Sequence, residues 1–181
     1  MERLPSLGPG HPQHSRPARL AMRRRTVLAA LLVAPLPALA QTPSEAAVRE
    51  ASAAYVKAWN RHDIKAWADF LAPDVWYTEA DDFYERFKGR DKVVGWFEFN
   101  VKNADLAWEV QRLKALPDGS VGVVLKQTMS MLPRKNGKYA SVFVSEPSFA
   151  RWRPVDGRWQ IVFFTSHAGW ARDQIKKAGM E

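Results

Sequence analysis

Apolar residues recur at threes and fours along Val48, Ala51, Tyr55, Trp59 and His62, so one face of a helix is apolar and carries a phenol in its middle. Thr42-Pro43-Ser44-Glu45 supplies the helix start: Thr42 as N-cap, proline at the first helical position and Glu45 completing a capping box. The helix is predicted to run to about Asn60. Asp63 can cap a second, shorter helix with Ile64, Trp67 and Phe70 or Leu71 as its buried stripe, ended by Pro73. The alternation from Val75 to Glu79 then predicts a short strand, with Val75, Tyr77 and Glu79 on one face and Trp76 and Thr78 on the other. An acidic loop follows, and Gly89 to Asp91 opens a third helix whose inner side is Val93, Val94, Phe97 and Val101.

From Leu106 onward the period changes to two. Roughly Leu106 to Leu116, Val121 to Leu132, Tyr139 to Arg153 and Arg158 to His167 read as strands, divided by Pro117-Asp118-Gly119, Asn136-Gly137 and Asp156-Gly157. These turns predict an antiparallel meander, with Pro147 forcing a bulge or an edge position in the third long strand. A last amphipathic stretch, Ala171 to Ala178, is expected to form a short helix. Helices first and a curved antiparallel sheet afterwards describe an α+β domain whose sheet wraps the helices. Eight Trp and nine Phe can either line a cavity between helix and sheet or fill it.

The residues before this domain follow a different pattern. Arg23 to Arg25, an apolar run from Val27 to Leu39, and Ala38-Leu39-Ala40 form a basic start, a core too short to span a bilayer, and a small-residue cleavage step. Residues 22–40 therefore read as a signal peptide, of ordinary or twin-arginine type. Residues 1–21 read as an upstream mis-start or a disordered extension, and 41–181 as one domain. The expected location is the periplasm or outside the cell, with no stable membrane insertion after cleavage.

Removing the leader changes the charge argument. Six of the 27 basic residues and one of the 19 acidic residues precede Gln41, so the remainder carries a net +3 instead of the whole chain's +8. With no basic run longer than Arg134-Lys135 and no reading motif, nucleic acid is not an expected partner. The chain has no cysteine, which removes disulfides, thiolate nucleophiles and Cys-ligated metals, and leaves stability to packing.

Two segments, "YVKAWNRHDIKAWADFLAPD" from Tyr55 to Asp74 and "FARWRPVDGRWQIVFFTSHAG" from Phe149 to Gly169, resemble the two ends of a SnoaL-like domain of the nuclear-transport-factor-2-like superfamily. The resemblance covers most of residues 44 to 170. It implies a cone-shaped, cystatin-like α+β architecture, usually a homodimer, with a pocket between the long helix and the concave face of the sheet. Members include ketosteroid isomerases, polyketide cyclases and dehydratases. In the isomerase branch a tyrosine of the first helix donates to the substrate oxygen and a carboxylate of the first strand moves the proton; Tyr55 and Glu79 match those positions. The third member, a protonated aspartate, is matched by Ser148.

Each candidate residue has a chemical and a packing reading. Tyr55 can stabilise an oxyanion in a dry cavity, or simply pack with its hydroxyl at the boundary. Glu79 is a general base if its strand face is inward, or a rim charge beside Asp81, Asp82 and Glu85; that cluster lacks the spacing of a calcium loop. His167, in alternation with Trp159, Ile161, Phe163 and Thr165, is expected on the aromatic wall, as a proton shuttle or a boundary histidine. Tyr77, Trp59, Phe97 and Phe163 are the expected ligand contacts. The function these support is binding of a small, mostly apolar molecule, with cofactor-independent isomerase, dehydratase or cyclase chemistry if Tyr55 and Glu79 act as a pair. The alternative is a non-catalytic binding or assembly module. No metal or cofactor is implied.

Overall fold

The computed structural model describes residues 42–78, 86–133 and 136–181. Helix α1 spans Pro43–Asn60 with the expected capping box: Thr42 Oγ1 accepts from the Glu45 amide (3.3 Å), and Glu45 Oε2 accepts from the Thr42 amide (3.0 Å). Its predicted apolar face is the buried one, carrying Val48, Tyr55 and Trp59. Helix α2 is only Ile64–Ala68. The sheet takes over earlier than Pro73, because the Phe70 carbonyl accepts from the Ile161 amide and Gln160 Nε2 donates to the Asp69 carbonyl. Strand β1 therefore begins at Leu71 and runs to Thr78. A short strand not expected from the sequence, β2 (Arg86–Lys88), pairs with it and leads into α3 (Arg90–Asn103), whose buried residues are Val93, Phe97 and Val101.

Four long strands follow as a meander: β3 (Ala104–Ala115), β4 (Val121–Met131), β5 (Val142–Val155) and β6 (Arg158–Thr165). The sheet order is β2-β1-β6-β5-β4-β3, antiparallel throughout except for the β1–β6 pair, which is parallel. The fold is α+β, as expected. One face of the sheet packs α1 and α3 through Val75, Tyr77, Leu106, Val121, Val123, Leu125, Trp152 and Phe164. The other packs α4 (Ala168–Lys177) and the residues after it, through Val124, Phe149, Phe163, Ala171, Ile175 and Met180. We call these the concave and convex faces. Gly122 lies under the convex layer: a Cβ there would come within 2.7 Å of Met180 Sδ, so the methionine side chain would have to shift. Lys114 Nζ closes the C-terminus of α4 by donating to the carbonyls of Ala178 (3.2 Å) and Gly179 (2.8 Å).

Bulges decide which side chains share a face. Glu146 and Pro147 stand opposite the single residue Lys126, as the proline predicted, and this brings Ser145 and Ser148 to the same face although they are three apart. In β6, Arg151 pairs with Phe163 and Trp152 with Ile161, so Val162 is the extra residue and parity reverses after it. Among the described residues no helix is long and apolar enough to cross a membrane.

Glu45 links the helix start to the sheet, because its other carboxylate oxygen accepts from the Ala115 amide of β3 (2.9 Å). The Ala115 and Thr42 amides hold its carboxyl below the usual glutamate range. A depressed carboxylate contributes stability above its unfolded-state pKa, and that contribution is lost as pH falls through the folded-state value. Glu45→Gln is expected to melt below the wild type at about pH 7 and to converge with it towards about pH 3 in thermal denaturation.

Candidate functional site

The interior between α1 and the concave face is filled with rings. Tyr55, fully buried, stacks on Trp108 (centroids 4.4 Å apart), and Trp108 stacks on Phe164 (5.5 Å, 2° between planes). Phe164 in turn stacks on Tyr77 (4.5 Å), and Tyr77 packs on Phe97 (4.8 Å). Trp59 joins through Trp67 (5.3 Å) and donates its indole N–H to the Ala104 carbonyl (2.9 Å). Tyr55, Trp59, Tyr77 and Phe97 meet in a packed core, and none of them is among the described residues that line the cleft beside it.

An opening lies beyond this core, where α3 faces the ends of β4 and β5. It is a cleft of about 750 Å³ walled by Trp96, Phe99 and Asn100 of α3 and by Gln127, Met129 and Met131 of β4. Residues 141–145, among them Phe143 and Ser145, and Ser166 complete it. Positions 121, 123 and 125 of β4 are buried Val, Val and Leu under the helices. The same face continues into Gln127, Met129 and Met131, where helix cover gives out and the strand becomes the cleft wall. On α3, Phe97 turns into the core while Trp96, Phe99 and Asn100 line the cleft; Trp96 is held by stacking on Phe87 (4.9 Å). The α3 end is tied down by the Leu132 amide donating to the Asn103 carbonyl (2.7 Å). Phe99 is 64% exposed and Phe143 54%, so the rim is apolar and wet.

The polar side chains of the cleft are Asn100, Gln127, Ser141, Ser145 and Ser166, and two of them are tied by hydrogen bonds. Trp108 Nε1 donates to Gln127 Oε1 (2.9 Å). Ser148, buried, donates to Ser145 Oγ (3.0 Å), and Ser145 donates to the Ser166 carbonyl. Every described lining residue is uncharged. No cluster of three His, Cys, Asp or Glu that could hold a metal occurs among the described residues. Carboxyls held below their usual range lie elsewhere: Glu45, and Asp118, which accepts from the Ser120 hydroxyl (2.6 Å) and pairs with Arg151 (2.6 Å) on the convex side.

Two expectations are corrected. Phe163 is on the convex face, packed near Phe149 (6.3 Å) under α4; the Val162 bulge gives its place on the aromatic wall to Phe164. His167 is not a continuation of β6, which ends at Thr165: it is the N-cap of α4, its Nδ1 accepting from the Trp170 amide (3.3 Å). Glu79, and the neighbouring Asp81, Asp82 and Glu85, lie outside the described residues, as do residues 1–41. Sequence reasoning missed Gln127, Met129 and Ser145. The signal for Gln127 and Met129 is the parity of β4, which becomes readable once the buried side of that strand is known; Ser145 lies on β5, where the Pro147 bulge interrupts the alternation.

A family model described as a SnoaL-like domain matches residues 52–162. Among solved structures, the chain is similar to a ketosteroid isomerase-like protein from Erwinia carotovora atroseptica, at 18% identity over 69% of this chain and 95% of that one (TM-score 0.55). It is also similar to an NTF-2 like protein of unknown function from Shewanella oneidensis MR-1 (15% identity, 66% and 95% covered, TM-score 0.55). A third is an uncharacterized protein with a cystatin-like fold from Caulobacter vibrioides (16% identity, 68% and 88% covered, TM-score 0.54). At these identities the likeness is one of fold. No curated protein matches the chain.

The capping role of His167 is checked by chemical denaturation. His167→Ala is expected to cost about 1 kcal/mol, and His167→Asp, which keeps an acceptor for the Trp170 amide, to recover most of it.

Proposed function

The chain belongs to the SnoaL-like family, and from that premise we propose that it is an exported domain that binds a small, mostly apolar molecule in the α3–β4–β5 cleft. The observation that carries this reading is the cleft itself: about 750 Å³, within the usual range for small-molecule sites, with aromatic and methionine walls and a few polar groups. Methionine and aromatic side chains can conform to a flat or irregular apolar body. The export half of the proposal rests on residues 22–40, whose basic, apolar and small-residue segments have the order of a cleavable leader.

The described lining is built of aromatic, aliphatic, methionine, serine and amide side chains, which is a binding surface; Glu79, the carboxylate that the resemblance suggests for proton transfer, lies outside the described residues. Tyr55, the donor that family resemblance suggests, is buried in the ring stack and lines no part of the cleft.

Titration of the purified domain with 2-acetylnaphthalene, followed by tryptophan emission, is expected to saturate, with Trp96 as the nearest reporter. Met129→Arg, which places a charge on the wall, is expected to weaken binding about tenfold or more. Failure of the wild type to saturate, or equal binding by Met129→Arg, would overturn the binding proposal. For export, the protein recovered from a periplasmic extract is expected to begin at Gln41; recovery only in the cytoplasm with residues 22–40 intact would overturn that half.

A further inference from the structure

Gln127 presents a side-chain amide whose two ends differ in what they offer, an acceptor oxygen and a donor NH2, and which end faces the cleft decides which ligands it can bind. Its neighbour removes the ambiguity. An indole N–H can only donate, so Trp108 Nε1 at 2.9 Å must face the amide oxygen and leave the NH2 turned away from the indole. Trp108 cannot easily rotate to release it, because its ring is held between Tyr55 (4.4 Å) and Phe164 (5.5 Å). Gln127 Nε2 has no protein partner among the described residues, and Gln127 is a wall residue of the cleft.

The remaining polar groups do not compete for this role. Ser145, the cross-strand partner of Gln127, spends its proton on the Ser166 carbonyl and receives that of Ser148. Asn100, across the cleft on α3, has no indole donor among the described residues to fix which end of its amide faces the cleft. The Ser141 and Ser166 hydroxyls rotate, so among the described lining side chains the Gln127 NH2 is the donor whose direction a neighbour fixes. A ligand that buries its surface against this wall without an acceptor leaves that NH2 desolvated and unpaired, a cost of about 1–3 kcal/mol. A carboxylate would satisfy it, yet would give up its hydration with no cationic side chain among the described lining residues to compensate.

We propose that Trp108 locks the Gln127 amide with its NH2 towards the cleft, so that the site selects uncharged ligands bearing a hydrogen-bond acceptor, such as a ketone, ester or amide, on an apolar body. This deepens the binding proposal above and rests on it. Trp108 is a positioning residue, and Gln127 is the group that touches the ligand.

Three probes of one shape separate the possibilities: 2-acetylnaphthalene, its acceptor-free isostere 2-isopropenylnaphthalene, and 2-naphthoate. In the wild type the ketone is expected to bind about tenfold more tightly than the alkene, with the carboxylate weakest. Gln127→Leu is expected to bind ketone and alkene equally. Trp108→Phe keeps a ring in the stack but removes the indole donor; the ketone-to-alkene ratio is expected to fall severalfold while the alkene affinity stays within about twofold, which reports an intact cleft. Equal binding of ketone and alkene by the wild type overturns the selectivity while leaving the binding proposal standing. A full ratio retained in Trp108→Phe overturns the locking role. Tightest binding of 2-naphthoate overturns the preference for uncharged ligands. If the wild type binds none of the three, it is the binding proposal that has failed.

Discussion

The stack of Tyr55, Trp108, Phe164 and Tyr77 between α1 and the concave face is the interaction on which the rest of the structure depends. It joins the first helix to β3, β6 and β1, segments far apart in the chain, and each ring removes a large apolar surface from water. The stack has a cost, since the indole N–H groups of Trp67 and Trp152 are buried without partners among the described residues. Gathering so many rings nevertheless satisfies a chain with no disulfide to rely on.

The same stack fills the region between α1 and the concave face, and the cleft lies further along that face, at the ends of β4 and β5, where α3 supplies the opposite wall. Trp108 belongs to both regions: its faces are in the core, and its N–H reaches Gln127 at the cleft. The orientation of a polar group in the cleft is thus set by packing that a ligand never touches. An arrangement held by buried rings loses little freedom when a ligand arrives, which favours affinity without new contacts.

Both faces of the sheet are used, and that explains the two corrections. A two-layer reading, with helices on one side only, has no reason to put an aromatic such as Phe163 on the outer face. Once α4 covers that face, Phe163, Phe149 and Val124 form a second, smaller core, and His167 is needed where the chain leaves β6 to begin the covering helix. The histidine's ring nitrogen meets an orphan amide of the first turn, which is a structural use of a residue that also suits proton transfer.

By itself the sequence determined what depends on neighbours in the chain: the capping box at Thr42 and Glu45, the buried stripe of α1, the inner side of α3, the hairpin turns, and the bulge at Pro147. The α+β class followed from the order of those elements, and the family resemblance from the segments Tyr55 to Asp74 and Phe149 to Gly169. What required the tertiary structure was parity and facing. One inserted residue at Val162 exchanges the sides of everything after it in β6, and no local pattern marks it because Val-Phe-Phe is apolar on both faces. Likewise, alternation in β4 separates Gln127, Met129 and Ser145's partner face from the other side, but only the seating of α1 and α3 decides which side is concave, and where the helix cover ends and a cleft begins.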